Sequence, residues 1–294
     1  MHFPGIIPAV LTPFTAEDAI DVAGLRANVA HVLERGVHGL VAVGTMGEAG
    51  ALSADERRTV IEAVAAEADG GVPVLAGVSA GSTGAAVAHA ELAREAGVSG
   101  VMCLPPLNYA GRIDEHVAFF RAVAAAAQVP VMLYNNPASS SIDLAPDMIA
   151  RIAAEVPEIV AVKECSGDAR RIAALVNGTA LEILVGGDDW ALEGFAAGAG
   201  GWVSGVANAA PSECVRLQDL VEAGALAEAR EVYARLLPLA RLDMTPRLVQ
   251  YFKGSLDALG LHGGRVRPPR QELDAGEREV LRLAVEALAV TAAV

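Results

Sequence analysis

A lysine at the end of a short apolar run is the feature of this sequence best suited to covalent chemistry. Lys163 directly follows residues 159–162, and the only other lysine of the chain is Lys253, whereas arginine supplies nearly all remaining positive charge. Burial disfavours an ammonium ion and lowers a lysine pKa from its usual value of about 10.4. A neutral amine attacks a ketone carbon and forms an imine (a Schiff base). The sequence therefore predicts imine chemistry at Lys163, against the simpler interpretation of a lysine that reaches solvent at a rim. Lys253 is expected to be a solvated or packing residue.

A tyrosine closes an earlier apolar run, in Tyr134-Asn135-Asn136-Pro137. A phenol can accept and return a proton while an imine forms, if it lies within hydrogen-bond distance. A core tyrosine with a satisfied hydroxyl is the alternative interpretation.

Two glycine-containing segments also follow apolar runs, and a third is itself such a run. In Gly44-Thr45-Met46-Gly47-Glu48, glycines on both sides of a hydroxyl residue let backbone N–H groups approach a carboxylate, although an ordinary tight turn has the same composition. In Gly186-Gly187-Asp188-Asp189 the aspartates could bind a metal, but we expect them to cap the following helix. The third segment is Gly201-Trp202-Val203-Ser204-Gly205.

Eight short apolar runs must position these residues. Each run is continuous rather than alternating, as in strands that are covered on both faces. They span residues 5–11, 39–43, 73–78, 100–104, 130–134, 159–162, 181–185 and 201–205. Helical periodicity between them, as in 22–35, 55–68, 85–96 and 115–127, predicts an α/β fold, a (β/α)8 TIM barrel. A doubly wound open sheet is the competing fold. In a barrel the residues named above, other than Lys253 on a predicted C-terminal helix, would lie at the C-terminal ends of strands, where active sites form.

The chain shows no linker and is expected to form one structural domain. Residues 1–210 supply the barrel strands and helices, and residues 211–294 supply the last barrel helix and a C-terminal helical extension. The expected C-terminal helices are 213–223, 226–239, 246–259 and 275–293, with a loop over 263–269. Apolar residues of the last helix could pack on a neighbouring subunit or on the chain's own barrel.

Ser53 followed by Glu56 predicts a capping box, and Pro146 predicts the first turn of a helix.

Composition argues against several classes of protein. The net charge of −14 and the lack of a basic stripe argue against nucleic-acid binding. No segment approaches about 18 uninterrupted apolar residues, so no membrane span is expected. Three cysteines and six histidines show no metal-ligand spacing, so neither a disulfide framework nor a metal site is expected. Without a signal-peptide pattern, the expected location is the cytoplasm.

Together these residues resemble the dihydrodipicolinate synthase/N-acetylneuraminate lyase family, over nearly the whole chain. The matching segments are Gly44-Thr45-Met46-Gly47-Glu48, Tyr134-Asn135-Asn136-Pro137, Lys163-Glu164-Cys165-Ser166-Gly167-Asp168, Gly187-Asp188-Asp189 and Gly201-Trp202-Val203-Ser204. The spacing of 29 residues between Tyr134 and Lys163 also matches.

The resemblance implies an active site that needs no cofactor. Lys163 would form the imine with a small 2-oxo acid, and Tyr134 would shuttle protons. The Thr45 hydroxyl and the Met46 N–H would hold the substrate carboxylate, beside the Val203 carbonyl. Gly44, Gly187, Asn136 and Ser139 would complete the pocket, with Asn136 and residues 139–141 shaping its distal part. The resemblance also implies a homo-oligomer, a dimer or a tetramer.

Three departures from the synthase pattern point away from the synthase reaction. Met46 replaces a second threonine, and Leu107 replaces a tyrosine that reaches across the dimer, although Tyr109 lies two positions away. Ser139 replaces an arginine that clamps the second substrate's carboxylate.

The expected function is therefore a Schiff-base lyase of a catabolic branch, similar to 1-pyrroline-4-hydroxy-2-carboxylate deaminase. The tyrosine-asparagine-asparagine-proline turn and the C-terminal segments 248–253 and 265–270 favour that branch. Alternatives are an aldolase or dehydratase of 2-keto-3-deoxy sugar acids, and synthase-like activity. A metal-dependent aldolase that uses Glu48, Asp188 and Asp189, and a non-catalytic sensor of small acids, are further alternatives.

Overall fold

The computed structural model describes residues 3–289 of the chain. Eight parallel strands form one sheet, and their bounds are β1 Gly5–Pro8, β2 Leu40–Ala42, β3 Val74–Gly77, β4 Gly100–Cys103, β5 Val131–Asn135, β6 Ile159–Glu164, β7 Glu182–Val185 and β8 Gly201–Ser204. Their spatial order is β1-β8-β7-β6-β5-β4-β3-β2. A bridge between Ala9 and Val41, with a 2.9 Å bond from the Val10 N–H to the Val41 carbonyl, brings β1 against β2 and closes the sheet into a barrel. The predicted (β/α)8 fold is confirmed.

Helices follow the strands in the order that the sequence predicts. They are α1 Val22–Leu33, α2 Ala54–Ala68, α3 Thr83–Glu95, α4 Ile113–Ala127, α5 Pro137–Ser140, α6 Pro146–Glu155, α7 Ala169–Gly178, α8 Ala191–Ala196, α9 Pro211–Glu222, α10 Leu226–Ala240, α11 Leu248–Ala258 and α12 Ala275–Ala289. Short 3-10 turns at Asp188–Trp190, Val206–Asn208 and Arg241–Met244 join some of them. Within residues 3–289, no helix is long and apolar enough to cross a membrane.

Local signals in the sequence fix several helix starts. The Glu56 N–H donates to Ser53 Oγ at 3.2 Å and the Ser53 N–H donates to Glu56 Oε2 at 2.8 Å, which confirms the capping box at the start of α2. Pro146 is the first residue of α6, as predicted. Residues 290–293 of the predicted last helix lie outside the described residues.

The C-terminal helices pack beside the barrel and contribute to its mouth. Helix α9 begins at Pro211, one residue after the predicted end of the barrel segment, and contacts β1 and α10. The connection between α10 and α11 contains the turn Arg241–Met244, which contacts the turn Asp188–Trp190 after β7. The C-terminal segment therefore reaches back to the carboxyl ends of the strands.

Neither Asp188 nor Asp189 caps the helix that follows, whose start has no side-chain cap, so that expectation was wrong. The buried carboxylate of Asp188 accepts the Trp202 Nε1–H at 2.9 Å and the backbone N–H groups of Gly205 and Val206 at 3.3 and 2.7 Å. Three donors from one neighbouring strand and its turn satisfy the carboxylate better than a single N-terminal N–H would. Asp188 thus ties the end of β7 to the end of β8.

Candidate active site

Lys163 and Tyr134 stand side by side at the carboxyl ends of β6 and β5. The strand register pairs their Cα atoms directly, which explains why a spacing of 29 residues brings them together. Lys163 Nζ lies 4.3 Å from the centroid of the Tyr134 ring, and the two residues are only 6% and 4% exposed. An amine at this distance from an aromatic face is held in a favourable electrostatic position. The lysine is therefore sheltered and does not reach into bulk water.

The pair opens into a cavity of about 320 Å3 at the barrel mouth. This volume fits a small organic acid. Ser140 and Ser141, which were expected to shape the distal part, do not line the cavity. The other residues that the sequence placed in the site contribute to its wall: Gly44, Thr45, Met46, Tyr134, Asn136, Ser139, Lys163, Gly187 and Val203. The structure brings these residues together, and their individual roles remain predictions.

The pKa of Lys163 differs from the sequence-based expectation. Burial lowers it, but negative charge on Tyr134, Cys165, Asp243 and Asp188 raises it, and the net direction is upward. Burial raises the pKa values of Tyr134 and Cys165 to about 12, so both groups are neutral near pH 7 and only the carboxylates favour the ammonium there. The expectation of a neutral lysine considered burial alone, whereas these carboxylates oppose the effect of burial on the Lys163 pKa.

Asn136 orients the Tyr134 hydroxyl, and the backbone N–H of Ser139 fixes the orientation of the Asn136 amide. The Ser139 N–H can only donate, and it meets Asn136 Oδ1 at 3.1 Å. Asn136 Nδ2 therefore faces Tyr134 and donates to its Oη at 2.8 Å. Because the phenol oxygen accepts this bond, its own hydrogen is free to point elsewhere. The amide also counteracts part of the rise in the Tyr134 pKa that burial causes.

The segment that carries Thr45 is held in a strained shape. Val43 has φ of 48° and Glu48 φ of 54°, both in the left-handed region that β-branched and bulky side chains avoid. Such residues cost on the order of 1–3 kcal/mol each and persist only where the surroundings fix them. Met46 is buried and Thr45 is exposed at the mouth of the cavity, where a bound carboxylate could reach it.

A buried ion pair holds the segment after β2 that carries Thr45. Glu48 Oε1 lies 2.6 Å from Lys253 Nζ, and the two side chains are 0% and 2% exposed. Glu48 Oε2 accepts the Arg267 N–H at 3.1 Å and lies 3.5 Å from Arg270 Nη1. The sequence predicted that Lys253 is either solvated or packed. It is a packing residue, and the prediction of a solvated lysine was wrong. It joins α11 to the segment after β2.

Gly186 makes room for the reactive lysine. A Cβ at this position would lie 1.9 Å from Cys165 Sγ and 2.9 Å from Lys163 Cε. Only glycine allows β7 to approach β6 so closely here.

Asp243 is a cavity residue that the sequence reasoning missed. It lies in the turn Arg241–Met244 and lines the cavity together with Met244, Thr245, Pro246 and Leu248. An aspartate directly between the apolar residues Leu242 and Met244 was the available signal. Burial raises its pKa to about 6, and the charge of Lys163 opposes the rise.

Two of the three carboxylates proposed for a metal-dependent aldolase have other bonding partners. Glu48 is held by Lys253, and Asp188 binds the end of β8. Among residues 3–289, no group of three histidine, cysteine or carboxylate side chains is arranged to hold a metal. The metal-dependent alternative therefore has no support from these three residues.

Tyr109 does not replace the missing relay tyrosine within its own chain. Its side chain is 49% exposed, and its hydroxyl donates to Glu115 at 3.1 Å. Leu107, at the position of the family's tyrosine, lines a neighbouring cavity of about 270 Å3 that shares Thr45, Tyr134 and Ser139 with the main one.

Comparison with known proteins agrees with the resemblance seen in the sequence. The model of the dihydrodipicolinate synthetase family matches residues 2–288. The chain belongs to this family. It is therefore an enzyme of the class I lyase type that acts on a small molecule.

Relatives and solved structures cover almost the full length. A 4-hydroxy-tetrahydrodipicolinate synthase of Methanoculleus marisnigri is 35% identical over 95% of this chain and 97% of its own. A synthase of the same name from Methanopyrus kandleri is 36% identical, over 95% and 94%. The structure of the 4-hydroxy-tetrahydrodipicolinate synthase of Methylacidiphilum fumariolicum SolV superposes with a TM-score of 0.93 at 29% identity, and covers 98% of this chain and 96% of its own.

Proposed function

We propose that the protein is a lyase that binds a small 2-oxo acid as an imine on Lys163. The observation that carries the proposal is the position of this amine, buried at the floor of the 320 Å3 cavity and 4.3 Å from the Tyr134 ring. Lysines that form imines need shelter from water, a nearby proton carrier and space for a carbonyl compound. Lys163 has all three.

In this proposal the substrate carboxylate binds at Thr45 and at the N–H of Met46. Both residues line the cavity beside Lys163, on the strained segment that Glu48 and Lys253 hold. A fixed segment binds the carboxylate without a further ordering cost, so the carbonyl carbon is held near the amine. The Val203 backbone forms another part of the wall.

Tyr134 then moves the protons of imine formation. The lysine attacks through its deprotonated fraction, and the phenol donates its free hydrogen to the carbonyl oxygen. The phenol oxygen then takes a proton from the attacking nitrogen and passes it to the new hydroxyl, which leaves as water. Asn136 donates to Oη throughout and stabilises negative charge that develops on the phenol oxygen. The protonated imine is an electron sink that permits cleavage of a bond two carbons away from it.

The synthase reaction is the second candidate, because the relatives named above are 4-hydroxy-tetrahydrodipicolinate synthases. Met46, Leu107 and Ser139 count against it, since each replaces a polar group of the synthase pattern. The comparisons give no support to the deaminase expected from the sequence. The sensor alternative is disfavoured by the presence of both Lys163 and Tyr134.

Turnover of a substrate panel tests the proposal. Wild type, Lys163→Ala and Tyr134→Phe would be assayed with pyruvate-derived 4-hydroxy-2-oxo acids, cyclic imino acids and the synthase reaction, the last by formation of 4-hydroxy-tetrahydrodipicolinate. We expect turnover by wild type, none by Lys163→Ala, and a kcat reduced about 100-fold in Tyr134→Phe. Undiminished turnover by Lys163→Ala would refute the imine mechanism.

We also propose that the protein self-associates. Val280 and Leu283 on α12 are 48% and 54% exposed, which is unusual for adjacent apolar side chains on one helix. One solved neighbour at 26% identity is described as a monomeric variant, so relatives of this fold differ in assembly. Sedimentation velocity measures the state directly, and a single monomeric species would refute this proposal.

A further inference from the structure

Asp243 contributes a carboxylate to the cavity wall, and imine formation at Lys163 does not require this group. It belongs to the turn Arg241–Met244, so it approaches the cavity from the C-terminal segment, whereas Lys163 and Tyr134 come from neighbouring barrel strands. The three groups therefore face one space from two different parts of the fold.

The bonding of Asp243 leaves it available to a ligand. Its Oδ2 accepts one bond, from the Asp188 N–H at 3.3 Å. Within the described part of the chain, no cation lies within 4.0 Å of its carboxylate, so Lys163 interacts with it only across a gap. A structural aspartate in this position would be expected to make a close ion pair or several hydrogen bonds, as Asp188 does.

The charges around Asp243 suit a group that gains and loses a proton. Lys163 faces it from β6, and Asp188 and Asp189 face it from the turn after β7. Burial raises its pKa to about 6, the Lys163 charge and the Asp188 N–H lower it, and Asp189 raises it. Both protonation states are accessible near neutral pH, which is what general acid–base catalysis requires.

We infer that Asp243 exchanges a proton with the hydroxyl on C4 of a 4-hydroxy-2-oxo acid that is bound as an imine to Lys163. The inference rests on the proposed function, since the imine fixes C2 of the substrate at the lysine. The rest of the carbon chain must then occupy the cavity, whose wall includes Asp243. Tyr134 lies against the lysine and serves C2, so a second proton carrier is needed for an oxygen farther along the chain.

The step balances as a retro-aldol cleavage. The Asp243 carboxylate removes the proton from the C4 hydroxyl, and the oxygen forms a carbonyl as the C3–C4 bond breaks. The electron pair of that bond moves to C3 and, through C2, neutralises the iminium nitrogen, which leaves an enamine on Lys163 and a free aldehyde. The enamine takes a proton at C3, and water releases pyruvate and the free lysine. No oxidant, reductant or metal takes part.

The test compares Asp243→Asn, Asp243→Ala and the control Asp189→Asn with wild type. Asp189 is the matched control because it is a neighbouring aspartate whose pKa is also raised by burial but which does not line the cavity. The probes are 4-hydroxy-2-oxopentanoate and 2-keto-3-deoxygluconate for cleavage, and borohydride trapping of pyruvate for imine formation.

We expect Asp243→Asn to lower kcat for cleavage about 100-fold, to abolish the acid limb of the pH profile near pH 6, and to change pyruvate trapping less than about 3-fold. Formate should restore activity to Asp243→Ala but not to Asp243→Asn, since it can occupy only the emptied space. Asp189→Asn should cleave both probes and trap pyruvate as wild type does near pH 8, and it should keep an acid limb, shifted only to lower pH because Asp189 raises the pKa of Asp243.

Three results would overturn the inference. They are cleavage by Asp243→Asn at the wild-type rate, equal losses of trapping and cleavage, and a wild type that traps pyruvate but cleaves neither probe. Absence of pyruvate trapping in wild type would instead refute the proposed function, so the two failures are distinguishable.

Discussion

Replacement of Lys253 by methionine should destabilise the protein strongly, although Lys253 lies outside the cavity. The change leaves Glu48, which is 0% exposed, without the cation that now lies 2.6 Å away. Removing one partner of a buried pair costs about 3–5 kcal/mol. Arg270 at 3.5 Å and the Arg267 N–H at 3.1 Å continue to compensate part of the Glu48 charge, so we expect the lower end, about 3 kcal/mol.

Urea denaturation followed by circular dichroism measures this loss. An unfolding entropy of about 2.1 cal/mol/K per residue gives roughly 0.6 kcal/mol/K for this chain, so the same loss lowers Tm by about 5 °C. Arg26→Met is the control, because Arg26 is 53% exposed in its pair with Glu67 and its removal should leave the midpoint unchanged. The double variant Glu48→Gln/Lys253→Met should be more stable than Lys253→Met, since no charge remains buried alone. A loss below about 1 kcal/mol in Lys253→Met, or a double variant less stable than the single one, would refute this reasoning.

Two further predictions concern groups beside the reactive pair. Asn136→Asp keeps the shape of the side chain but replaces the donor to Tyr134 Oη with an acceptor, so the pKa of Tyr134 should rise. We expect kcat to fall about 10-fold or more with KM nearly unchanged. A change in KM alone would show that Asn136 only binds substrate. Gly186→Ala should abolish pyruvate trapping because its Cβ would lie 1.9 Å from Cys165 Sγ, and adding Cys165→Ala should restore part of it. Trapping by Gly186→Ala at the wild-type rate would contradict the close approach of β7 to Lys163.

The sequence was sufficient to predict the barrel and the meeting of Lys163 with Tyr134. Continuous apolar runs at regular intervals leave few arrangements other than a parallel barrel, and the ends of adjacent parallel strands must lie together. The capping box at Ser53 was readable because it depends only on residues three apart.

Features that depend on distant segments could not be read in the same way. The partner of Lys253 is Glu48, 205 positions earlier in the chain, and nothing near Lys253 indicates that it is buried. Asp243 reaches the cavity because the connection after α10 folds back over the strand ends. The upward pKa shift of Lys163 likewise depends on charges that the fold brings together, whereas the sequence indicated only burial.

The central claim is that Lys163 forms the imine, and reductive trapping tests it most directly. The protein would be treated with pyruvate and sodium borohydride, and the modified peptide would be identified by mass spectrometry. Since Lys163 and Lys253 are the only lysines, the site can be assigned without ambiguity. The account predicts one reduced pyruvate adduct, on Lys163, and none on Lys253. An adduct on any other amine, or none in a protein that turns over a 2-oxo acid, would contradict it.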